Sequence, residues 1–232
     1  MRRKAFTLPE LLVVIGIIAL LLAILMPSLR RARQSARSVT CASNARQVVL
    51  SMLMYANDNQ GYLPTASEKG LVWSNSQPGW IAYFYPANEP APGIDIEFDH
   101  GAFMEYLGHV GTRQSVLRCV EAELGTANYS YVLPAQLGDT TKPLVRLVRI
   151  PNSSRKIILV EMDGIIQTDG IAQRFDGHFN IGEGGADGDE PADHHMKVGT
   201  TGYGNHGFAD GHIESLSRAD IDDVRNRDRF DY

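Results

Sequence analysis

Residues 1–27 read MRRKAFTLPELLVVIGIIALLLAILMP, in which a basic head precedes an almost wholly apolar run from Phe6 to Met26. An α-helix rises 1.5 Å per residue, so this run is about 30 Å long, which is the thickness of a bilayer's hydrocarbon core. The sequence therefore predicts one membrane-spanning helix at the N-terminus. Because basic residues flanking a span favour the cytoplasmic side, we expect the N-terminus inside the cell and the rest of the chain outside the cytoplasm.

The apolar run differs from a general secretory signal, whose apolar core is shorter and ends in a small-x-small cleavage site. Here the core ends in MPSLRRARQ, and the small residue Ala5 stands before the run instead. Cleavage next to Ala5 would leave the hydrophobic helix on the mature protein.

Glu10 is a carboxylate just inside the apolar run, where an ionised group is costly and usually has a partner. In one interpretation its side chain simply reaches the nearby membrane interface. In the other, cleavage after Ala5 creates an amine on Phe6 at a similar depth. A neighbouring subunit, shifted along the membrane normal, would then pair its Phe6 amine with Glu10, so that assembly relieves a buried charge.

The stretch from Lys4 to Ile15, KAFTLPELLVVI, closely resembles the prepilin cleavage and methylation signal of type IV pilins and type II secretion pseudopilins. The resemblance implies cutting between Ala5 and Phe6 by a membrane prepilin peptidase, N-methylation of Phe6 and a role for Glu10 in the filament. Two residues depart from the family pattern, since Ala5 replaces the usual Gly and Pro9 replaces an aliphatic residue. Pro9 falls in the first turn of the mature helix, where a missing N–H costs little.

The helical pattern continues beyond the membrane segment. A helix from Thr7 to Asn57 would be about 75 Å long, so its second half must pack on something outside the bilayer. Pro27 is expected to kink or loosen the helix locally. Apolar residues recur in the second half at spacings of three and four, at Val49, Met52, Leu53 and Ala56.

From Gly61 onwards, turn-forming residues separate short apolar runs, which predicts a small, mainly antiparallel sheet. One face of this sheet would bury itself against the amphipathic half of the long helix, giving an α+β, pilin-like fold. We expect Arg146–Ile150 to pair with the run at Lys156, and Gly101–Leu107 to form a short helix. The predicted strands are Trp80–Tyr85, Tyr129–Leu133, Lys156–Met162 and His212–Leu216.

The chain is accordingly divided into five parts. A leader at 1–5 is followed by a transmembrane half-helix at 6–27 and an amphipathic half-helix at 28–59. An extracytoplasmic β-rich domain occupies 60–219, and a charged tail, expected to be solvated, occupies 220–232.

Cys41 and Cys119 are the two cysteines of the chain, too few for a disulfide framework or a four-thiolate zinc site. In an exported domain they could form one bridge. It would close a loop of about 80 residues and, on the chain-entropy model, add about 4 kcal/mol. The alternative is two free, buried thiols.

Two further stretches resemble a large group of pilin-like proteins that is abundant in planctomycete-type bacteria. One is CASNARQ at residues 41–47, followed by YANDNQGYLP at residues 55–64. The other is the pair His194 and His195 preceding GNHGFADGHI at residues 204–213, which is similar to that group's C-terminal His to Asp-Gly-His element.

The C-terminal part of the chain is rich in residues that could ligate a transition metal, but their spacing matches no known metalloprotease motif. We favour a tight turn in which Phe208 packs inward and Asp210 and Gly211 lead into the last strand. The residues concerned are His178, Asp193, His194, His195, His206, Asp210 and His212.

A glycine-rich and acidic loop runs from Gly182 to Asp193 and could supply oxygen ligands to Ca²⁺. The EF-hand pattern fails there because Pro191 occupies its fifth position. The alternative is a solvated loop, and we expect no cofactor apart from this candidate Ca²⁺. The candidate ligands are Asp187, Asp189, Glu190 and Asp193.

The function expected from these features is structural. The net charge of −5 argues against nucleic acid as a partner, and the chain has no P-loop, dinucleotide fingerprint or nucleophile elbow, so we expect no enzyme. We expect a single-pass subunit of a type IV pilus-like or type II secretion pseudopilus filament in a bacterial inner membrane. Its partners would be prepilin peptidase, related subunits and the secretion or pilus assembly machinery.

Two other functions stay open at this point. One is a membrane-anchored binding module that uses a pilin-type export signal and never polymerises. The other is a metal-dependent surface enzyme that uses the histidine-rich region.

Overall fold

The computed structural model describes residues 8–65, 102, 104–108, 116–122, 130–134, 137, 144–162, 167–168, 171–172, 178–179, 191–198, 201–217 and 219–221. One long helix, α1, spans Leu8–Asp58 and includes Pro27. Its bounds agree closely with the predicted helix, while the kink at Pro27 stays a prediction. Every residue from 8 to 37 is exposed, and the buried residues begin at Cys41.

The buried residues of α1 follow helical spacing and form one stripe, as the apolar pattern predicts. This stripe packs into the hydrophobic core of the globular domain. Its members are Cys41, Ala45, Val48, Val49, Ser51, Met52, Tyr55 and Ala56.

The globular part is built on a mainly antiparallel sheet, as expected. Its strands are β1 (Tyr131–Pro134), β2 (Ile157–Glu161), β5 (His178–Phe179), β6 (His195–Val198), β7 (Thr201–Phe208) and β8 (Ile213–Ser217). The order is β5-β1-β2-β7-β6, with β8 also paired to β7, and among the strand pairs within the described residues only β1–β5 is parallel. A separate antiparallel pair consists of β3 (Gln167–Thr168) and β4 (Ile171–Ala172).

The β7 strand is the centre of the sheet because it pairs with three other strands. β6 pairs with its first residues and β2 with its last, while β8 pairs along Tyr203–Gly207. The helix lies directly on the backbone of β7: a Cβ atom at Gly207 would come within 2.2 Å of Val49 Cγ2 and 3.0 Å of Leu159 Cβ. Glycine at this position therefore sets how closely helix and sheet approach.

Several predicted elements are confirmed with small shifts. The predicted strands Tyr129–Leu133, Lys156–Met162 and His212–Leu216 correspond to β1, β2 and β8, and a 3₁₀-helix at Met104–Leu107 lies within the predicted short helix. The predicted strand Trp80–Tyr85 lies outside the described residues.

The predicted pairing of Arg146–Ile150 with the run at Lys156 is wrong. Leu147–Arg149 form a 3₁₀-helix, and Arg146 is bridged to Tyr62. The cause is competition from the segment that follows α1. Leu63 N–H donates to the Val145 carbonyl at 2.9 Å, and Leu147 N–H donates to the Gly61 carbonyl at 2.8 Å.

The predicted turn after Phe208 is confirmed. Phe208 is buried, and Gly211 has a φ of +93° in the turn between β7 and β8. Gly211 N–H donates to the Phe208 carbonyl at 2.9 Å, and the Phe208 and His212 rings stack with centroids 4.2 Å apart.

The start of the tail differs from the expectation of a solvated segment, because Ile221 is fully buried in the core. Ser217 and Asp220 form a reciprocal capping box: Asp220 N–H donates to Ser217 Oγ at 3.2 Å, and Ser217 N–H donates to Asp220 Oδ2 at 3.0 Å. The box begins a helical turn that holds Ile221 against the domain.

A disulfide joins α1 to the domain at the point where the helix enters it. Cys41 and Cys119 are bonded, with Cα atoms 5.2 Å apart, and both residues are fully buried. Two hydrogen bonds support the bridge: Tyr131 Oη donates to the Cys41 carbonyl at 2.9 Å, and Cys119 N–H donates to Ser130 Oγ at 2.8 Å. The bridge fixes the helix where its exposed half begins.

We predict that Gly207→Ala destabilises the globular domain by about 1–3 kcal/mol, because the new methyl group overlaps Val49 and Leu159. Chemical denaturation of the detergent-solubilised chain, followed by near-ultraviolet circular dichroism, measures the loss. Gly16→Ala is the matched control, since a Cβ atom there meets nothing within 4 Å. Equal unfolding free energies for the two variants would contradict the close helix–sheet contact.

We predict that Cys41→Ser lowers the unfolding free energy of the oxidised chain by about 4 kcal/mol, because the bridge closes a sequence separation of 78 residues. The same denaturation measures it. The double variant Cys41→Ser/Cys119→Ser should lose about as much as the single variant, since one bridge is lost in both. Val39→Ser, at a neighbouring position that is 67% exposed, serves as the control, and a loss no larger than this control's would refute the prediction.

Candidate functional site

The first half of α1 presents a continuous apolar surface. Its most apolar 18-residue window has a mean hydropathy of 2.9, and none of that window is buried within the chain. By length and composition this segment can cross a membrane. An apolar surface of this extent requires lipid or protein around it. Its exposed side chains include Leu8, Leu11, Leu12, Ile15, Ile18, Leu21, Leu22, Leu25 and Leu29.

Glu10 lies in the first turn of α1 and is exposed on the chain's surface. A carboxylate at this position interacts favourably with the positive end of the helix dipole. Ala5 and Phe6, the predicted cleavage residues, lie outside the described residues. The pairing of Glu10 with a neighbour's Phe6 amine therefore stays a prediction.

A second site lies beside the disulfide, where charged side chains meet in the interior of the domain. Glu161, at the end of β2, is fully buried. His195, at the start of β6, places Nε2 at 3.1 Å from each Glu161 carboxylate oxygen. Its other ring nitrogen, Nδ1, lies 2.7 Å from Glu121 Oε2. Because both ring nitrogens lie within hydrogen-bond distance of carboxylate oxygens, this arrangement favours the protonated form of His195.

Asn205 and His194 provide the remaining hydrogen-bond contacts of the buried carboxylate. Glu161 Oε2 accepts hydrogen bonds from Asn205 N–H at 2.6 Å and Asn205 Nδ2 at 3.0 Å. His194 Nε2 lies 3.3 Å from Glu161 Oε1. Glu161 is thus an ionised carboxylate held by several donors, which is the condition under which a charge can be buried.

These contacts shift the acidity of both partners. Burial alone would raise the pKa of Glu161, but hydrogen bonds and charge from His194 and His195 lower it to about 2. For His195, burial works to lower the pKa, whereas the hydrogen bonds to Glu161 and Glu121 and the Glu161 charge raise it overall. Both shifts favour the ion pair.

The structure gives different partners to the residues of the predicted histidine-rich cluster. His194 and His195 contact Glu161, whereas His212 Nδ1 contacts Asp210 in the turn after β7. His206 is buried within β7, and the side chain of His178 is outside the described part of the chain.

Among the predicted calcium ligands, Asp193 forms an ion pair with Lys197 Nζ at 2.9 Å. Asp187, Asp189 and Glu190 lie outside the described residues. The Ca²⁺ site therefore stays a prediction.

The sequence reasoning missed Glu161, Glu121 and Asn205. Glu161 lies within a predicted strand, and its position carries a signal, because an acidic residue at the end of the buried run IILVE needs a partner inside the domain. Glu121 follows Cys119 by two residues, which places it beside the bridge. Asn205 carries no such signal, because an asparagine in a glycine-rich stretch is as typical of a loop as of a strand.

Comparison with known proteins agrees with the N-terminal part of this description. The family model described as the prokaryotic N-terminal methylation motif matches residues 1–26. The chain is 41% identical over 69 residues to the type IV wide pilus major component PilA4 of Thermus thermophilus, a match that covers 30% of this chain and 51% of that protein. The chain thus spans about half the length of this curated relative. No solved structure matches the chain. The chain therefore carries a prokaryotic N-terminal methylation motif and has an α+β, pilin-like architecture, a long apolar helix joined to a small antiparallel sheet.

Proposed function

We propose that this chain is a structural subunit of a type IV pilus-like or type II secretion pseudopilus filament, matured by prepilin peptidase and assembled through α1. The observation that carries the proposal is the division of one continuous helix into two halves. Residues 8–37 are exposed and largely apolar up to Leu29, while the second half is built into the domain. In such a helix the exposed half is available for contacts with neighbouring subunits, while the other half is held by the globular domain.

In the membrane, lipid already solvates the apolar half of α1, so the hydrophobic effect alone does not bring helices together. Association then depends on close packing and on polar groups that gain partners. Glu10 is such a group, because an ionised carboxylate in the apolar segment is costly. The amine formed on Phe6 of a neighbouring subunit is its proposed partner.

The proposed orientation places the N-terminus in the cytoplasm of a bacterial cell and the globular domain beyond the inner membrane, in the periplasm or outside the cell. Arg2, Arg3 and Lys4 precede the span, which favours this direction. The bridge between Cys41 and Cys119 supports it, because disulfides persist mainly outside the cytoplasm. The similarity to a pilus component is a further support.

We predict that Glu10→Ala leaves the amount of membrane-inserted protein unchanged but removes it from sheared filaments. Losing one partner of a buried pair costs about 3–5 kcal/mol, which corresponds to a loss of more than about 100-fold in an association equilibrium. Quantitative immunoblots of membrane and sheared fractions measure the ratio.

Glu214→Ala is the matched control for this experiment, since Glu214 is an exposed acid on β8. It should leave the sheared fraction at the wild-type level. Wild-type filament yield from Glu10→Ala would refute the pairing. Absence of the wild-type chain from all sheared material would instead favour a non-polymerising, membrane-anchored binding module.

We predict that the mature protein begins at Phe6 and carries one N-methyl group, because peptidase cleavage after a small residue removes residues 1–5. Intact-mass analysis of the purified protein tests this. Ala5→Leu should retain the leader, since the larger side chain replaces the small residue at the cut, whereas Ala5→Gly should be processed. A mature chain that starts after Met26 would contradict retention of the helix.

A further inference from the structure

Four side chains that can ligate a metal meet at the junction of α1 and the sheet. They are Cys41 of α1, Cys119 of the segment 116–122, Glu161 of β2 and His195 of β6. One ligand atom from each lies within 4.8 Å of the ligand atoms of the other three, and all four residues are buried. Each comes from a different part of the chain, so the fold itself creates the cluster.

The donor set consists of two sulfurs, one imidazole nitrogen and one carboxylate oxygen, which suits Zn²⁺ in a closed structural site. Zinc bonds of about 2.3 Å to sulfur and about 2.0 Å to nitrogen, at tetrahedral angles, place the sulfur and nitrogen about 3.5 Å apart. Cys119 Sγ and His195 Nε2 are separated by 3.5 Å. His195 Nε2 and Glu161 Oε1, at 3.1 Å, are also close to the spacing of two ligands on one zinc ion.

The residues around the cluster form the outer shell that metal ligands usually have. A histidine that binds a metal through one nitrogen generally donates its other N–H to a carboxylate or carbonyl, and Glu121 Oε2 lies 2.7 Å from His195 Nδ1. Ligating carboxylates are in turn hydrogen-bonded, and Asn205 donates twice to Glu161 Oε2. His195 Nε2 lies 3.1 Å from both Glu161 oxygens, and Oε1, which also contacts His194 Nε2 at 3.3 Å, is the oxygen to which Asn205 does not donate.

In the structure the two sulfurs are bonded to each other, so the disulfide and a dithiolate are alternative closures of the same cluster. A dithiol donor converts the disulfide into the reduced form. It transfers two electrons and two protons, its own sulfurs become a disulfide, and the Cys41–Cys119 bond breaks to give two thiols. On binding Zn²⁺ the two thiol protons and the proton on His195 Nε2 leave to solvent.

We propose that the dithiol form of this chain binds one Zn²⁺ ion through Cys41 Sγ, Cys119 Sγ, His195 Nε2 and a Glu161 carboxylate oxygen, with Glu121 positioning His195. Zinc then replaces the disulfide as the link between α1 and the domain. The junction is closed in both redox states, by a covalent bond when oxidised and by the metal when reduced. This proposal does not depend on filament assembly.

The test uses the full chain in detergent, half of it kept oxidised and half reduced with dithiothreitol and desalted without oxygen. Each half receives excess Zn²⁺, is passed through a gel-filtration column and is analysed for bound zinc by mass spectrometry. We expect about one equivalent in the reduced chain and less than a tenth in the oxidised chain. With Co²⁺ in place of zinc, the reduced chain should show thiolate-to-metal charge-transfer absorption.

Variants distinguish the proposed ligand set from loose binding by two thiols. Zinc affinity, measured by competition with a chromophoric chelator, should fall at least tenfold in reduced His195→Ala and 10–100-fold in Glu121→Gln, the range for outer-shell partners. Reduced His212→Ala is the control, because His212 contacts Asp210 in a different turn, and it should bind as the wild type does.

Three results would overturn the proposal. One is a reduced chain that carries less than a tenth of an equivalent of zinc, whether folded or not. Another is equal zinc binding by the oxidised chain, which would exclude the sulfurs as ligands. The third is wild-type affinity in reduced His195→Ala, which would reduce the site to two flexible thiols.

Discussion

The contact between the second half of α1 and the backbone of β7 determines the rest of the architecture. Gly207 allows Val49 to reach the strand at a distance that a Cβ atom would prevent. Because β7 also pairs with β2, β6 and β8, a helix fixed to β7 is fixed to the centre of the sheet. This contact holds the second half of α1 on the sheet, and the disulfide at Cys41 attaches the helix to the domain at a second point.

The same helix therefore satisfies two different environments. In its second half, apolar residues on one stripe face the core and the remaining positions face solvent. In its first half, apolar residues occupy the whole circumference, which suits lipid or neighbouring helices on all sides. The disulfide at Cys41 lies at the first buried residue of α1, and it secures the helix where a pull on the exposed half would reach the domain.

How far the sequence predicts this structure depends on whether the signal is local. The length of α1 is predicted by an apolar run that is followed by apolar residues at helical spacing. The strand β2 is predicted by the four consecutive aliphatic residues of IILVE. The sequence does not predict β7, because TGYGNHGF has neither alternation nor β-branched residues beyond its first position. Its glycines have packing reasons that the sequence does not show: Gly207 meets Val49 of α1, whereas Gly202 and Gly204 meet Asp193 and Ala192. Arg146 was misassigned because its bridge to Tyr62 spans residues far apart in sequence.

The buried cluster could not be predicted for the same reason. His195 is separated by 34 residues from Glu161 and by 74 from Glu121, and the fold brings them together from three separate parts of the chain. The individual residues are weakly informative. An acidic residue at the end of a buried strand, such as Glu161, indicates that it has a hydrogen-bond partner but does not indicate which residue that partner is. The histidine-rich region was recognised as a source of ligands, yet the two histidines that matter take their partners from other parts of the chain.

Two carboxylates of this chain lie among apolar residues, Glu161 in the core of the domain and Glu10 in the apolar half of α1. Glu161 is fully buried, and His194, His195 and Asn205 of its own chain hold it as an anion. The domain can therefore fold around it without a neighbour. Glu10 lies in an apolar segment whose residues are exposed on the single chain, and the proposed function gives it a further partner on a neighbouring subunit. The contacts of Glu161 within the domain stabilise the fold of a single chain. A contact between Glu10 and the next subunit would instead stabilise the assembly. It would do so only when the two subunits are in the register that brings the two charged groups to the same depth.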